Sequence, residues 1–448
     1  MNIVNINVLG LYKYYYQDIL FKKVVDEFNK QGLNNLNENT IINFILMFSG
    51  DPFEEDLTTE QIVSMWKGEY VLSLDEALIY SVNDEISDLL DDSIKHKVKK
   101  EILPFVNATN KHNQRTICIK NNLMAPEFYK LIDIYNTSIA DDNLITNNEM
   151  INVPYPVCFK LPDSNGSNCF RVLYTDQELL EHIETTKESQ NWQTEKKIEN
   201  VIIESYVKGE EYVADFIICG TTLVPVGHWR YILGDNEGKT TSIRGAITLD
   251  NISDNIINQF QKLFQEMGLT YGFTHNEYRI DGSGNVILME VNPRLSGCDF
   301  IYVYLKKFGV NFMSLIAYSY AKIDVPFTLL NEFIKKPIKL YYIHWAQQQI
   351  SHRKTENELP DTKAIPSPKN MYSLVYIPID IYETFNSNDD HIQLDLAASL
   401  CGNMYPSWDE WVSYCPFCVH FSSDLSIDEF NKNIIKKTQL IDELIKIK

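Results

Sequence analysis

The chain has 448 residues, length enough for about three domains, and its 44% hydrophobic and 12% aromatic content with only 16 Pro and 18 Gly excludes extensive disorder. Its formal charge of -21 repels nucleic-acid phosphates and anionic lipids, so a phosphate ligand has to be held by local cations, backbone amides or a metal, and no nucleic-acid partner is expected. The amino terminus alternates like a strand instead of presenting a basic-then-apolar leader, and no apolar run reaches spanning length, so a cytoplasmic protein without membrane association is expected.

In chain order, the opening residues read as a small α/β layer. Ile3 to Leu9 is a strand, Tyr15 to Asn29 a helix, Ile41 to Phe48 an apolar strand, and Thr59 to Leu90 acidic helical material. This layer has no Gly-rich phosphate fingerprint. The polar string Asn107 to Arg115 opens a new segment, which places a boundary near residue 106. Strands follow at Val153 to Leu161 and Phe170 to Leu173, then a helix Asp176 to Glu188, a polar linker Ser189 to Glu199 and a strand Val201 to Tyr206. Val157-Cys-Phe-Lys160 ends on a lysine, and the loop Asp163 to Asn168 beyond it is of a kind that folds backbone N–H groups over phosphates while a lysine meets their charge.

The most informative segment comes next. Gly272-Phe-Thr-His-Asn-Glu277-Tyr and Val286-Ile-Leu-Met-Glu290-Val-Asn292-Pro-Arg294 are two strands joined by the turn Asp281 to Asn285, which places Glu277 and Glu290 side by side with Asn292 and Arg294 just beyond. Hard oxygen ligands of this kind suit Mg²⁺, and the arginine sits where a transferring phosphoryl group carries its charge. The run Val286 to Met289 describes a strand buried on both faces, and such a strand rarely carries an acid without a use for it. Past residue 335, Lys339 to Trp345 and Tyr372 to Ile379 read as strands, and Ser426-Ile-Asp-Glu429 starts a helix to Lys448. Of the eight cysteines (Cys118, Cys158, Cys169, Cys219, Cys298, Cys401, Cys415 and Cys418), Cys415-Pro-Phe-Cys418 with His420 has a metal or redox spacing but lacks a second pair.

The order of Lys111, Lys160 with its loop, Glu204-Ser-Tyr-Val207, Gly209-Glu-Glu211, Glu277 and Glu290-Val-Asn292-Pro-Arg294 resembles the ATP-grasp superfamily over about residues 105 to 300. The resemblance implies an α/β (α+β) ATP-grasp fold in four parts: an amino-terminal α/β domain (1–106), a small subdomain with the phosphate loop (107–200), a catalytic subdomain with the Mg²⁺ site (201–335), and a carboxy-terminal α+β module (336–448). It implies that Lys111 and Lys160 contact ATP phosphates under a mobile loop that includes Ser164, Gly166 and Ser167. Glu204 meets the adenine amino group beside the Val207 backbone, and Glu211 takes the ribose hydroxyls. Glu277, Glu290 and Asn292 hold Mg²⁺, two ions with Mn²⁺ as a substitute; Arg294 is catalytic together with Lys160, and Ser296 and Gly297 present amides to substrate. Between the hinge and the metal strands, Arg230, Arg244 and His275 are candidates for binding the carboxylates of small substrates.

The expected activity is therefore ATP-dependent ligation of a small-molecule carboxylate to an amine, amino acids foremost, through an acyl phosphate. The arrangement, with a module after the metal motif, is similar to bacterial L-amino-acid ligases; that module is read as a cover on the site or a homodimer surface. The alternatives are a ligase acting on a peptide or protein carboxylate, and a catalytically silent ATP-binding regulator. The complete set of lysines, metal carboxylates and arginine argues against the last.

Overall fold

A computed structural model describes residues 2–10, 15–48, 57–73, 76–140, 143–146, 149–164, 169–188, 197–236, 240–249, 252–295 and 300–335, and beyond them the short segments 340–344, 362–366, 374–378, 393–396 and 416–422. The first layer contains β1 (Asn2–Leu9), α1 (Tyr15–Lys30), β2 (Asn35–Asn37), β3 (Thr40–Met47), α2 (Thr59–Met65) and β4 (Tyr70–Ser73). The sheet order is β2-β3-β1-β4, with β1 parallel to β3 and β4, as strand-helix-strand crossovers require. The acidic helical material expected from Thr59 to Leu90 is thus interrupted by a strand. Val71, Leu72 and Ser73 are buried on the flank of β1, and that burial outweighs the helical character of the residues around them. Helices α3 (Glu76–Ser81) and α4 (Ser87–Leu89) flank a π turn at Val82–Ile86, and α5 (Asp92–Thr109) continues through residue 106. The chain breaks at Asn110, whose side chain accepts a hydrogen bond from Asn113 N–H and so starts α6 (Lys111–Asn121).

The next body contains β5 (Tyr129–Asp133), the meander β6 (Thr137–Ala140), β7 (Asn143–Thr146) and β8 (Glu149–Ile151), then β9 (Val157–Lys160), β10 (Arg171–Leu173), α7 (Asp176–Lys187) and β11 (Asn200–Ser205). Its four-stranded antiparallel sheet runs β10-β9-β11-β5. Ile132, Val157, Phe159, Leu179, Ile183, Val201 and Ile203 give it a hydrophobic core of its own.

After the hinge at Gly209, where φ is +146° and a Cβ would press on the Ile280 carbonyl, the chain enters the larger sheet. Here β12 (Glu211–Cys219), β13 (Thr222–Asn236) and β14 (Thr240–Thr248) precede α8 (Asp254–Met267), and β15 (Tyr271–Ile280) and β16 (Val286–Asn292) precede α9 (Phe300–Phe308), α10 (Val310–Ala321) and α11 (Phe327–Lys335). The described strands run β16-β15-β12-β13-β14, extended by β17 (Leu340–His344), β21 (Pro416–Ser422) and β20 (Gln393–Leu396); β18 (Thr362–Pro366) and β19 (Leu374–Pro378) pair separately. The core of this sheet is continuous with that of the first layer. No helix among the described residues is long and apolar enough to cross a membrane. The helix expected over Ser426–Lys448, and Cys415, lie outside the described residues, as does the side chain of Cys418.

β16 is largely buried, as its apolar run implies, yet it is an edge strand of its sheet with no second strand beside it among the described residues. Helix α6 covers that edge instead: Gln114 donates to the Val291 carbonyl at 2.9 Å and accepts from Val291 N–H at 3.1 Å, as a partner strand would. Leu288 N–H donates to the Met124 carbonyl at 2.9 Å. Gln114→Ala strands both Val291 groups away from water and is expected to lower stability by about 1–3 kcal/mol in urea unfolding.

Candidate active site

Three cations converge from α6 and β9. Asn110 orients the first turn of α6, and Lys111, at its first position, places Nζ 2.6 Å from Glu290 Oε1 while also donating to the Ser164 carbonyl. One turn on, Arg115 is fully buried, its Nε and Nη2 donating to the Glu204 carboxylate and Nη2 also to the Met289 carbonyl at 2.8 Å. Lys160, the last residue of β9, reaches the same Glu204 at 2.5 Å from the adjacent strand. Burial alone would raise the Glu204 pKa, but the charges of Arg115 and Lys160 overcome it and hold the carboxyl down to about 2.

The two strands carrying Glu277 and Glu290 pair as their sequence implies. Glu277 and Glu290 are direct cross-strand partners on β15 and β16, and His275 is the partner of Asn292. Glu277 Oε1 accepts from the Tyr231 hydroxyl at 3.0 Å and lies 3.7 Å from His275 Nε2. Burial disfavours its charge, yet His275, Tyr231 and Lys111 together keep its pKa below the ordinary value. On β12, Glu211 is held by Arg279 through contacts of 3.0 and 2.7 Å that both fall on Oε2, while burial and the nearby Glu277 charge push its pKa up. His275 is almost fully buried; desolvation opposes its charge, but Asp215 at 2.8 Å raises its pKa to about 9.

Many of these groups meet at one open cleft. Lys111, Lys160, Ser164, Glu204, Val207, Glu211, Glu277 and Glu290 all contribute to its wall, so residues scattered from 111 to 290 meet at one place. Cys158, Phe170, Tyr206 and Met289 give the same cleft an apolar side suited to a planar base. His275, Asn292 and Arg294 lie outside that wall; Asn292 is buried and Arg294 Nη1 donates to the Leu295 carbonyl at 2.9 Å. Arg230 is not brought to the cleft and pairs with Glu210. Gly166, Ser167, Ser296 and Gly297 lie outside the described residues, as does the side chain of Arg244.

The donor set can be tested against a metal. Two carboxylates side by side and a neighbouring amide are hard oxygen donors, and an ammonium group at 2.6 Å from Glu290 already marks the place as one that draws a cation. Mg²⁺ usually takes only one or two protein carboxylates and completes its shell with water and substrate phosphate, so the residues present fit it.

Residues 153–300 match the family model described as the ATP-grasp domain. The chain carries an ATP-grasp domain. The fold agrees across its length: the crystal structure of L-amino acid ligase from Bacillus licheniformis superposes with a TM-score of 0.59 at 13% identity, covering 98% of this chain and 97% of that one. N5-carboxyaminoimidazole synthase from Aspergillus clavatus gives 0.54 at 11% identity with 99% of each chain covered, and biotin carboxylase from Campylobacter jejuni gives 0.54 at 11% with 94% and 88% covered. The sequence has no significant match among curated proteins.

Two arginines of the site carried no readable signal or only a faint one. Arg279 stands two positions after Glu277, and its Nη1 donates to the Val207 carbonyl at 2.7 Å, fixing the hinge. Arg115 is hidden in the polar string opening α6, and its partner is 89 residues away. The depressed Glu204 carboxyl contributes stability that is fully present above its ordinary value of 4.5 and is lost as pH falls toward about 2. The expected loss is on the order of 3 kcal/mol in acid-unfolding curves, and Glu204→Gln should flatten that limb and lower the neutral-pH stability by about 3–5 kcal/mol, because Arg115 stays buried without a counter-charge.

Proposed function

We propose that the protein is an ATP-dependent carboxylate-amine ligase that joins small molecules, an amino acid to an amine or to a second amino acid, with release of ADP and phosphate. One observation carries the reading: the paired carboxylates Glu277 and Glu290 share a cleft with Lys111 and Lys160, so metal donors and phosphate-binding cations face the same space. The substrate class is taken from L-amino acid ligase, whose fold is similar over 98% of this chain.

In this reading the apolar side formed by Cys158, Phe170 and Met289 receives the adenine, and Glu211, with Oε1 not engaged by Arg279, accepts from the ribose hydroxyls. Lys160 and Lys111 turn from Glu204 and Glu290 to the phosphates; each is a flexible point charge suited to that exchange. Glu277, Glu290 and Asn292 would hold Mg²⁺, which when bound neutralises phosphate charge and aligns the γ-phosphoryl group. A substrate carboxylate oxygen attacks the γ-phosphorus and the bond to the β-γ bridging oxygen breaks, giving an acyl phosphate and ADP. The amine then attacks the acyl carbon, forming the C–N bond, expelling phosphate and losing a proton. Arg294, just past the metal strand, offsets the charge that accumulates on the transferring group.

The buried thiols supply no nucleophile to this scheme. Burial pushes Cys158 up to about 12 and Cys118 up to about 11, so neither is a nucleophile near neutral pH.

Purified protein incubated with Mg²⁺, ATP and pools of amino acids and amines is expected to release ADP only when both a carboxylate and an amine are present, with the amide product identified by mass. Glu290→Ala should abolish this turnover while the circular-dichroism spectrum and melting cooperativity are retained. Turnover that persists in the folded variant refutes the site, and ADP release independent of any carboxylate refutes the ligase reading.

A further inference from the structure

One buried acid has no role in the scheme above. Asp215 lies in the apolar run Val213-Ala-Asp-Phe-Ile-Ile of β12 and is fully buried. Keeping a carboxylate there costs several kcal/mol unless it is fully paired, so its partners are informative. It sits opposite His275 on β15, and Oδ1 accepts from His275 Nδ1 at 2.8 Å. Oδ2 accepts from the hydroxyl of Tyr304, on α9, at 2.6 Å. On the other flank of Asp215, β13 presents Gly227, and a Cβ there would lie 2.3 Å from the Tyr304 hydroxyl. The glycine therefore keeps open the space through which the phenol reaches the acid.

Because Nδ1 carries the proton toward Asp215, the imidazole is locked in one orientation and Nε2 is aimed at the other end of the network. There it lies 3.4 Å from the Tyr231 hydroxyl and 3.7 Å from Glu277 Oε1, and Tyr231 itself donates to that same oxygen at 3.0 Å. Both contacts thus converge on Oε1 of the metal-binding glutamate. His275 is buried, with 4% of its surface exposed, and both of its ring nitrogens face groups of this network.

We propose that Asp215, through His275, and Tyr231 directly are positioning residues that tie down Oε1 of Glu277 and so present its other oxygen to the metal at a fixed torsion, with Tyr304 anchoring Asp215. The inference rests on the reading of Glu277 as a metal ligand. Mg²⁺ tolerates little departure from octahedral geometry, and outer groups that orient a ligating side chain typically matter by about 10–100-fold in metal affinity. A hydrogen-bonded acid buried for stability alone would not report on the metal.

The test uses the full-length protein with a non-hydrolysable ATP analogue and Mn²⁺ as a paramagnetic probe, free and bound ion being counted by electron paramagnetic resonance. Asp215→Asn is expected to weaken Mn²⁺ binding by about 10–100-fold, while analogue affinity measured in EDTA stays at the wild-type value. Unchanged Mn²⁺ affinity in the folded variant overturns the proposal, and so does an equal loss with and without metal, which marks a general collapse of the cleft. Should Asp215→Asn not fold, Tyr231→Phe decides, since it removes one oxygen at the edge of the network: weaker Mn²⁺ binding supports the proposal and unchanged binding overturns it. Wild-type protein that binds the analogue but no Mn²⁺ overturns the metal reading of Glu277 itself, an outcome separate from failure of the positioning role.

Discussion

The guanidinium of Arg115 is the constraint on which the site depends. It is fully buried, grips Glu204 on β11 with two of its nitrogens, and with one of them also holds the Met289 carbonyl on β16. Those strands belong to different sheets with different cores, so this one side chain bridges the β9–β11 body and the β15–β16 pair, while its neighbour Gln114 ties α6 to β16. A buried ion pair of this kind adds little net stability over an apolar pair, but losing either partner is severe, and the arrangement it enforces is specific.

The separate cores have a mechanical consequence. The body containing β9, β10, β11 and α7 packs on itself, whereas the first layer and the large sheet share one core. Motion between the β9–β11 body and the remainder would therefore disturb polar contacts, Lys111 to the Ser164 carbonyl and Arg115 to Glu204, and little apolar packing. The two lysines rest on carboxylates whose neighbourhood a nucleotide and metal would reorganise. Charge inside the cleft is balanced with these cations on Glu204 and Glu290, which explains how an acidic protein keeps several carboxylates buried in one place.

The parts legible in the sequence are those with short-range signals. The pairing of Glu277 with Glu290 follows from two strands and a tight turn, and Lys160 follows from a strand ending on a cation beside a loop. The strand at Tyr70–Ser73 was obscured by helical neighbours, because only its place on the flank of β1 makes it a strand. Gln114, Arg115 and Asp215 were illegible for a related reason: each acquires meaning from a partner in another element, the Val291 backbone, Glu204 and His275 with Tyr304 respectively. Asp215 did leave a trace, since an acid within an apolar strand requires a buried partner somewhere, but periodicity cannot say which. Arg230 misled in the opposite direction, its charge being spent on the adjacent Glu210.

The most direct test of the account is a crystal structure of the full-length protein with Mn²⁺ and a non-hydrolysable ATP analogue, with anomalous data to locate the metal. The account predicts an anomalous peak bridging the Glu277 and Glu290 carboxylates, the base against Phe170 and Met289, and Lys111 moved from Glu290 to a phosphate. A nucleotide bound elsewhere, or bound here with the Lys111–Glu290 contact intact and no metal between the two glutamates, would contradict it.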